Sequence, residues 1–421
     1  MTNVHSFGAV GNGSSDDLAA INSTIADIVT IESGRIRKGD NLEFNSRMYR
    51  VSDTVHFGKH FGTQIVGKGA IPQQFNVRAD GGPNINTNFF FIGTQIIGDS
   101  LESGVIDIQG SNVGLRDISI VGRTGNAEAK SAVGIQYTKN TGIGTGKSRI
   151  YDVSIVDCDA GIRFGNAQGD GNCDLVVCDR LLLRNCTSGV QMVNDQALGN
   201  NFQSVYALDC GTAFDLDAGG KIQVGHVGVK STDELMRTRA QGNGNGQITF
   251  QNVHIDASDT TCPRLVNSAN TAGSHTILFN SIHVPKSVGA NDDPLFTLND
   301  GDRVIVKGAQ YLQGTLANFV HGGNLRLENC IFEDYDNVTF WKEGSTGNFR
   351  FEMVNCYSTD NTPLDDILFI SGALSESGSA TLMRPNTSNI TNNTTKTTGT
   401  GAGSNALGTY SVGGSRTRIT R

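Results

Sequence analysis

Proline is scarce, at 7 of 421 residues, and tryptophan occurs once. The 53 glycines follow no strict Gly-x-x period, which excludes collagen. No apolar run approaches the ~18 residues a membrane-spanning helix requires, so no membrane insertion is expected. Basic residues are outnumbered 33 to 41, for a formal charge of -8, so the electrostatic footprint of a nucleic-acid binder is missing. Eight cysteines are too few for a disulfide scaffold in a chain this long. Their spacing contains no Cys-x-x-Cys, and no adjacent His pair completes a zinc site, so neither metal nor cofactor is expected. The segment Met1–Phe7 lacks a basic stretch followed by an apolar one, and the expectation is synthesis in a reducing cytosol with free thiols.

What is present is a chain with 37% hydrophobic and 18% charged residues, enough to bury a large core. Near its start, Ser14-Ser15-Asp16-Asp17 has the hydroxyls and carboxylates of a helix N-terminus. Leu18, Ile21, Ile25 and Ile28 follow at helical spacing, with Ala19, Ala20 and Ala26 as strong helix formers. Little after this looks helical, and a lone helix opening a β-rich chain suits a lid over an otherwise open core. The run Phe7-Gly8-Ala9-Val10-Gly11-Asn12-Gly13-Ser14-Ser15-Asp16-Asp17-Leu18-Ala19-Ala20-Ile21 resembles the opening motif of the pectate-lyase-like single-stranded β-helix superfamily. That group includes polygalacturonase-like enzymes and bacteriophage tailspikes that bind or depolymerise polysaccharides. Gly34-Arg35-Ile36, Tyr49-Arg50-Val51-Ser52 and Ile65-Val66-Gly67-Lys68-Gly69 extend the likeness over roughly seventy residues. Asn12 stands where that motif usually has Asp, and Leu18 where it usually has Thr.

Independently of any family, the middle of the chain repeats. Val153-Ser154-Ile155-Val156-Asp157-Cys158-Asp159-Ala160-Gly161-Ile162-Arg163-Phe164 is echoed from Leu181 to Met192 and again from Val205 to Leu216. Phe250–Ile255 recurs as Phe279–Val284, and Glu328-Asn329-Cys330 as Val354-Asn355-Cys356. Each copy is a short alternating strand, a polar corner and a second alternating strand. Alternation puts one set of side chains inside and the other outside. Units this short cannot hold a βα crossover, so they read as stacked coils of an all-β, right-handed parallel β-helix. Expected boundaries are a cap over 1–33, the β-helix over 34–372, and an Asn/Thr/Gly-rich tail or trimerisation stem over 373–421. Cys158, Cys186 and Cys210 share one corner, and Cys330 and Cys356 another. They are expected to be buried free thiols filling space.

Alternation also selects exterior residues. With Ile162, Phe164, Val190, Met192, Phe214 and Leu216 inside, Arg163, Gln191 and Asp215 point outward on successive coils. Asp217 follows on the same face, roughly 6.8 Å along by strand rise. That separation fits the acid and base of an inverting glycosidase, or simply a solvated polar face. Glu328 and Glu333, with Asp334 and Asp336, form a second acidic cluster that could act on a sugar, hold calcium or be a polar turn. Arg163 and Arg180 are the basic residues available for proton removal. Trp341, Tyr206 and Arg163 are candidate sugar contacts, because flat apolar rings stack on pyranoses. His254 and His283 are expected to stack outward on adjacent coils, as a hydrogen-bonded ladder or a metal or titrating pair. The resemblance implies a tailspike-like virion protein on the tail or capsid surface, made in the host cytoplasm. It would be a homotrimer whose partners are a bacterial surface polysaccharide and other virion proteins, with or without depolymerase activity. A non-enzymatic virion part, or a polysaccharide hydrolase or lyase of cellular origin, are the alternatives.

Overall fold

The structure is a computed structural model. It describes residues 1–358 apart from short interruptions, the longest being 71–92, 124–131, 139–144, 240–245, 333–338 and 342–347, together with 380–383 and 417–419. The chain forms two compact units, Met1–Asp233 and Glu234–Arg421. Among the described residues there is one α-helix, Leu18–Ile28, and the rest of the regular structure is almost wholly parallel strands of a right-handed β-helix.

The first unit opens with the cap. The helix buries Ile21, Thr24, Ile25 and Ile28 and packs on the turn Val4–Phe7 and the strand Val55–Phe57. Ser14 and Ser15 do not cap it, contrary to the expectation from their hydroxyls: both lie in the strand Asn12–Asp16. The Asn12 side chain accepts their two N–H groups at 2.9 and 2.7 Å. Asp16 accepts from Leu18 N at 3.2 Å, and Ile21 N begins the helical ladder on Asp17 O at 3.0 Å. The Asp17 carboxylate is buried and accepts the N–H groups of Val10 and Gly11 at 2.6 to 3.3 Å. Gly11 has φ +64°, and a Cβ there would meet Arg47 at 2.9 Å, so the turn needs glycine.

Two strand faces build the coils of this unit. The short-strand face comprises Val55–Phe57, Gly104–Ile108, Val133–Tyr137, Ala160–Phe164, Ser188–Met192 and Thr212–Leu216. The long-strand face comprises Gly114–Arg123, Arg149–Val156, Val177–Arg184, Leu198–Leu208 and Lys221–Lys230. The register is the one the repeats predict: Ile162 pairs with Val190 and Val190 with Phe214, while Phe164 pairs with Met192 and Met192 with Leu216. Interior rings follow suit, Tyr137 lying on Phe164 at 5.1 Å and Phe214 meeting Phe202 edge-on at 5.6 Å. Each such side chain contributes about 1.5–3 kcal/mol on burial.

The corners explain the Asp/Asn-Cys dipeptides. Asp157, Asn185, Asp209 and Ser231 turn the chain with φ between +47° and +58°, a left-handed conformation that Asn and Asp tolerate best among residues with a Cβ. The next side chain points inward and donates to the carbonyl two residues back: Cys158 to Val156 O, Cys186 to Arg184 O and Cys210 to Leu208 O, at 3.4 to 3.5 Å. In the following coil Thr232 takes the same place, donating to Lys230 O at 3.1 Å and Ala207 O at 3.3 Å. All eight cysteines are free and buried, as expected from the sequence. Burial pushes the Cys178 thiol well above its ordinary value.

The second unit repeats the scheme. Phe250 pairs with Phe279 and Glu328 with Val354 across neighbouring coils, as the sequence echoes predict. His254 and His283 stack with centroids 5.2 Å apart and planes 5° apart, and His283 bonds Gln310 at 2.9 Å, the ladder form of the expected pair. Inside, Asp302 is wholly buried and takes the N–H groups of His275 and Asn299 at 3.1 and 3.0 Å, tying down a corner. Of the predicted tail, the strands Ala380–Met383 and Thr417–Ile419 are described, paired antiparallel. The rest of 373–421 lies outside the described residues.

Candidate functional site

The exterior positions of the short-strand face in the first unit align into a column. His56 pairs with Asp107, which is followed by Gln136, Arg163, Gln191 and Asp215, one residue per coil. Coils pair about 4.8 Å apart, so the column runs about 19 Å from Asp107 to Asp215. All six residues are polar, and they are linked sideways rather than left to water. Arg163 donates Nε–H to Gln191 Oε1 at 2.5 Å and a second N–H to Asp159 at 3.0 Å. Gln191 donates in turn to Asp217 at 3.3 Å. Gln136 donates to Gly165 O at 3.0 Å.

Asp215 corrects one expectation. Its register is exterior, as predicted, yet it is 0% exposed, and Ser188 Oγ donates to its carboxylate at 2.9 Å. The covering comes from the tertiary fold, which alternation alone does not report. Asp217 is half-buried, so the two carboxylates predicted as a pair sit in different environments. Arg163 is not an open sugar contact either, because its guanidinium is engaged by Gln191 and Asp159 and its side chain is 23% exposed.

The remaining candidates scatter. Tyr206 is half-buried on the exterior of the long-strand face, between interior Val205 and Ala207 as predicted. Its ring lies over Gly228, where a Cβ would meet Tyr206 Cδ2 at 2.5 Å, so glycine is what lets the ring lie flat. Arg180 pairs with Asp152 and sits 4.1 Å over the Tyr151 ring, and burial raises the Asp152 carboxyl despite the arginine. Glu328, in the second unit, accepts from Arg326 Nε at 2.5 Å. Glu333, Asp334 and Asp336 lie outside the described residues. Trp341 ends the strand Thr339–Trp341 and is in register with Ala317, one coil beyond Phe296 and two beyond Val266, all interior positions. Its side chain lies outside the described residues. Among the described residues no cluster of three His, Cys, Asp or Glu could hold a metal ion.

Sequence reasoning missed the first three members of the column, His56, Asp107 and Gln136. His56 is largely exposed, and its Nδ1 is 3.0 Å from Asp107 Oδ2. Asp107 is 6% exposed and also accepts from Gln109 Nε2 at 2.6 Å and Thr138 Oγ1 at 2.5 Å. The only signal was alternation in Val55-His56-Phe57 and Ile106-Asp107-Ile108, because 51 residues separate the pair, about twice the repeat.

No protein-family model matches the sequence, and no curated protein matches it. Solved structures do. The A-module of the Azotobacter vinelandii mannuronan C-5 epimerase AlgE6 is 14% identical with a TM-score of 0.52, over 90% of this chain and 99% of that one. DFA-IIIase from Arthrobacter chlorophenolicus A6 is 12% identical with a TM-score of 0.54, over 91% and 94%. ORF18 of Geobacillus virus E2 is 13% identical with a TM-score of 0.47, and this chain spans 60% of its length. Together with the coil register and the capping helix, the likenesses to the AlgE6 module and DFA-IIIase place the chain, by fold, among the right-handed parallel β-helices.

Proposed function

We propose that the chain is a tailspike-like virion protein that binds a bacterial surface polysaccharide along the exterior column of its first unit, working as a homotrimer. The observation that carries this reading is the column itself: six polar side chains, one per coil, over about 24 Å, of which His56, Arg163 and Gln191 are open to solvent at least in part. A polymer of hydroxylated rings needs such a line of donors and acceptors, held rigid before it arrives so that little ordering is required on binding. The AlgE6 module is named for its action on mannuronan, a polymer of this kind. The virion and trimer parts of the proposal rest on the tailspike resemblance of the opening motif. The full burial of Asp215 favours binding over cleavage at this end, because a proton donor or acceptor must reach its substrate.

A panel of bacterial surface polysaccharides tests the reading, with retention and new reducing ends measured on one sample whose mass is determined by light scattering. A trimer that retains one polymer supports it. New reducing ends that vanish in Asp215→Asn plus Asp217→Asn would add depolymerisation at this pair. A monomer contradicts the tailspike part, and a chain retaining none of the polymers contradicts the binding part.

A further inference from the structure

His56 is the most exposed described member of the column, with 58% of its side chain open, yet one ring nitrogen is held by a nearly buried carboxylate. Asp107 beneath it is nearly buried and accepts from three side chains: His56, Gln109 and Thr138. The four residues come from three successive coils, since Val55–Phe57 pairs with Gly104–Ile108 and that strand with Val133–Tyr137. A carboxylate can only accept hydrogen bonds, so the imidazole nitrogen facing it must carry the proton. In the neutral ring that leaves Nε2 as the acceptor, and Nδ1 is the atom turned to Asp107. Asp53, the nearest acid on the same segment, is turned to its own neighbour, accepting from Thr54 N at 2.7 Å. Among the described residues the charged group within hydrogen-bond distance of the ring is therefore Asp107.

The arrangement holds an exposed imidazole, by one ring nitrogen, on a nearly buried carboxylate that two further side chains fix. We infer that His56 is a binding residue for the polysaccharide, a fixed acceptor for a sugar hydroxyl at the opposite end of the column from Asp215, and that Asp107 is its positioning residue. The inference rests on the polysaccharide reading above and adds to it a specific contact, a tautomer and an end point for the bound chain.

Two measurements test it. First, the polysaccharide retained from the panel is the probe for His56→Ala and His56→Gln. The expected result is a loss of about 2- to 10-fold in affinity for His56→Ala, the worth of one hydrogen bond, with partial recovery in His56→Gln. Second, imidazole nitrogen chemical shifts read the tautomer without any ligand. The wild type at pH 8 should show the Nδ1–H form, and Asp107→Asn a mixture, with circular dichroism confirming that both are folded. Wild type that retains a polymer, with both His56 variants binding it unchanged, overturns this inference alone. A wild-type ring protonated on Nε2 also overturns it. Wild type that retains nothing overturns the polysaccharide reading, and the inference with it.

Discussion

The same short strands carry two columns built by opposite rules. Inside run Val55, Ile106, Ile135, Ile162, Val190 and Phe214, each at most 1% exposed. Outside, one residue along, run His56, Asp107, Gln136, Arg163, Gln191 and Asp215. The interior is specified by volume: any apolar side chain of the right size fits, and its neighbours are its own counterparts one coil away. The exterior is specified by hydrogen bonds, in which Arg163 has one correct partner on the next coil and another four residues back on its own. A ligand-binding surface needs the second rule, because orientation there matters more than packing.

The comparison breaks most visibly inside. Phe214→Ala should lose about 3–5 kcal/mol, the cost of truncating a buried ring, read as a fall in the urea midpoint at unchanged slope. Outside, Ser188→Ala removes a donor from the buried Asp215 carboxylate and should cost about 1–3 kcal/mol. An unchanged midpoint in that variant would mean Asp215 is held by its other contacts. At the corner, Thr232→Cys should move stability by less than about 1 kcal/mol, because cysteine already fills the equivalent place in three neighbouring coils. Thr232→Val should cost more than Thr232→Cys, since it strips the donor from Lys230 O and Ala207 O.

The smallest effect belongs to the cap. Burial acts to raise the Asp16 carboxyl, but the Ser52 hydroxyl, the Leu18 and Ser52 N–H groups and Arg50 outweigh it, and its pKa is lowered. A carboxylate depressed in the folded state adds stability above its unfolded pKa of about 3.9 and loses it as pH falls through the folded value. The stability gap between wild type and Asp16→Asn should therefore be constant from pH 7 to about 5 and close below about 4. A gap that persists at low pH would assign the effect to shape rather than charge.

The interior column was legible in the sequence because its rule is local. Period-two alternation and the echoes at Cys158, Cys186 and Cys210 predicted the register that pairs Ile162 with Val190 and Val190 with Phe214. The helix was legible from Ile21, Ile25 and Ile28, although its start was displaced, because Ser14 and Ser15 lie in the strand Asn12–Asp16, their N–H groups taken by the Asn12 side chain. On the exterior, position was legible and environment was not. Nothing in the run Phe214-Asp215-Leu216 says that Ser188, 27 residues earlier, reaches the Asp215 carboxylate. His56 escaped because the coil joining it to Asp107 is nearly twice the usual length, so no echo aligned it.

The central claim is that a polysaccharide lies along the exterior column. Hydroxyl-radical footprinting of the wild-type protein, with and without the polymer it retains, tests that claim most directly. The account predicts protection of His56 and of the exposed part of Arg163 together, with the long-strand face around Leu182 and Tyr206 labelled equally in both samples. Protection confined to Leu182 and Tyr206, with the column labelled as freely as before, would contradict it.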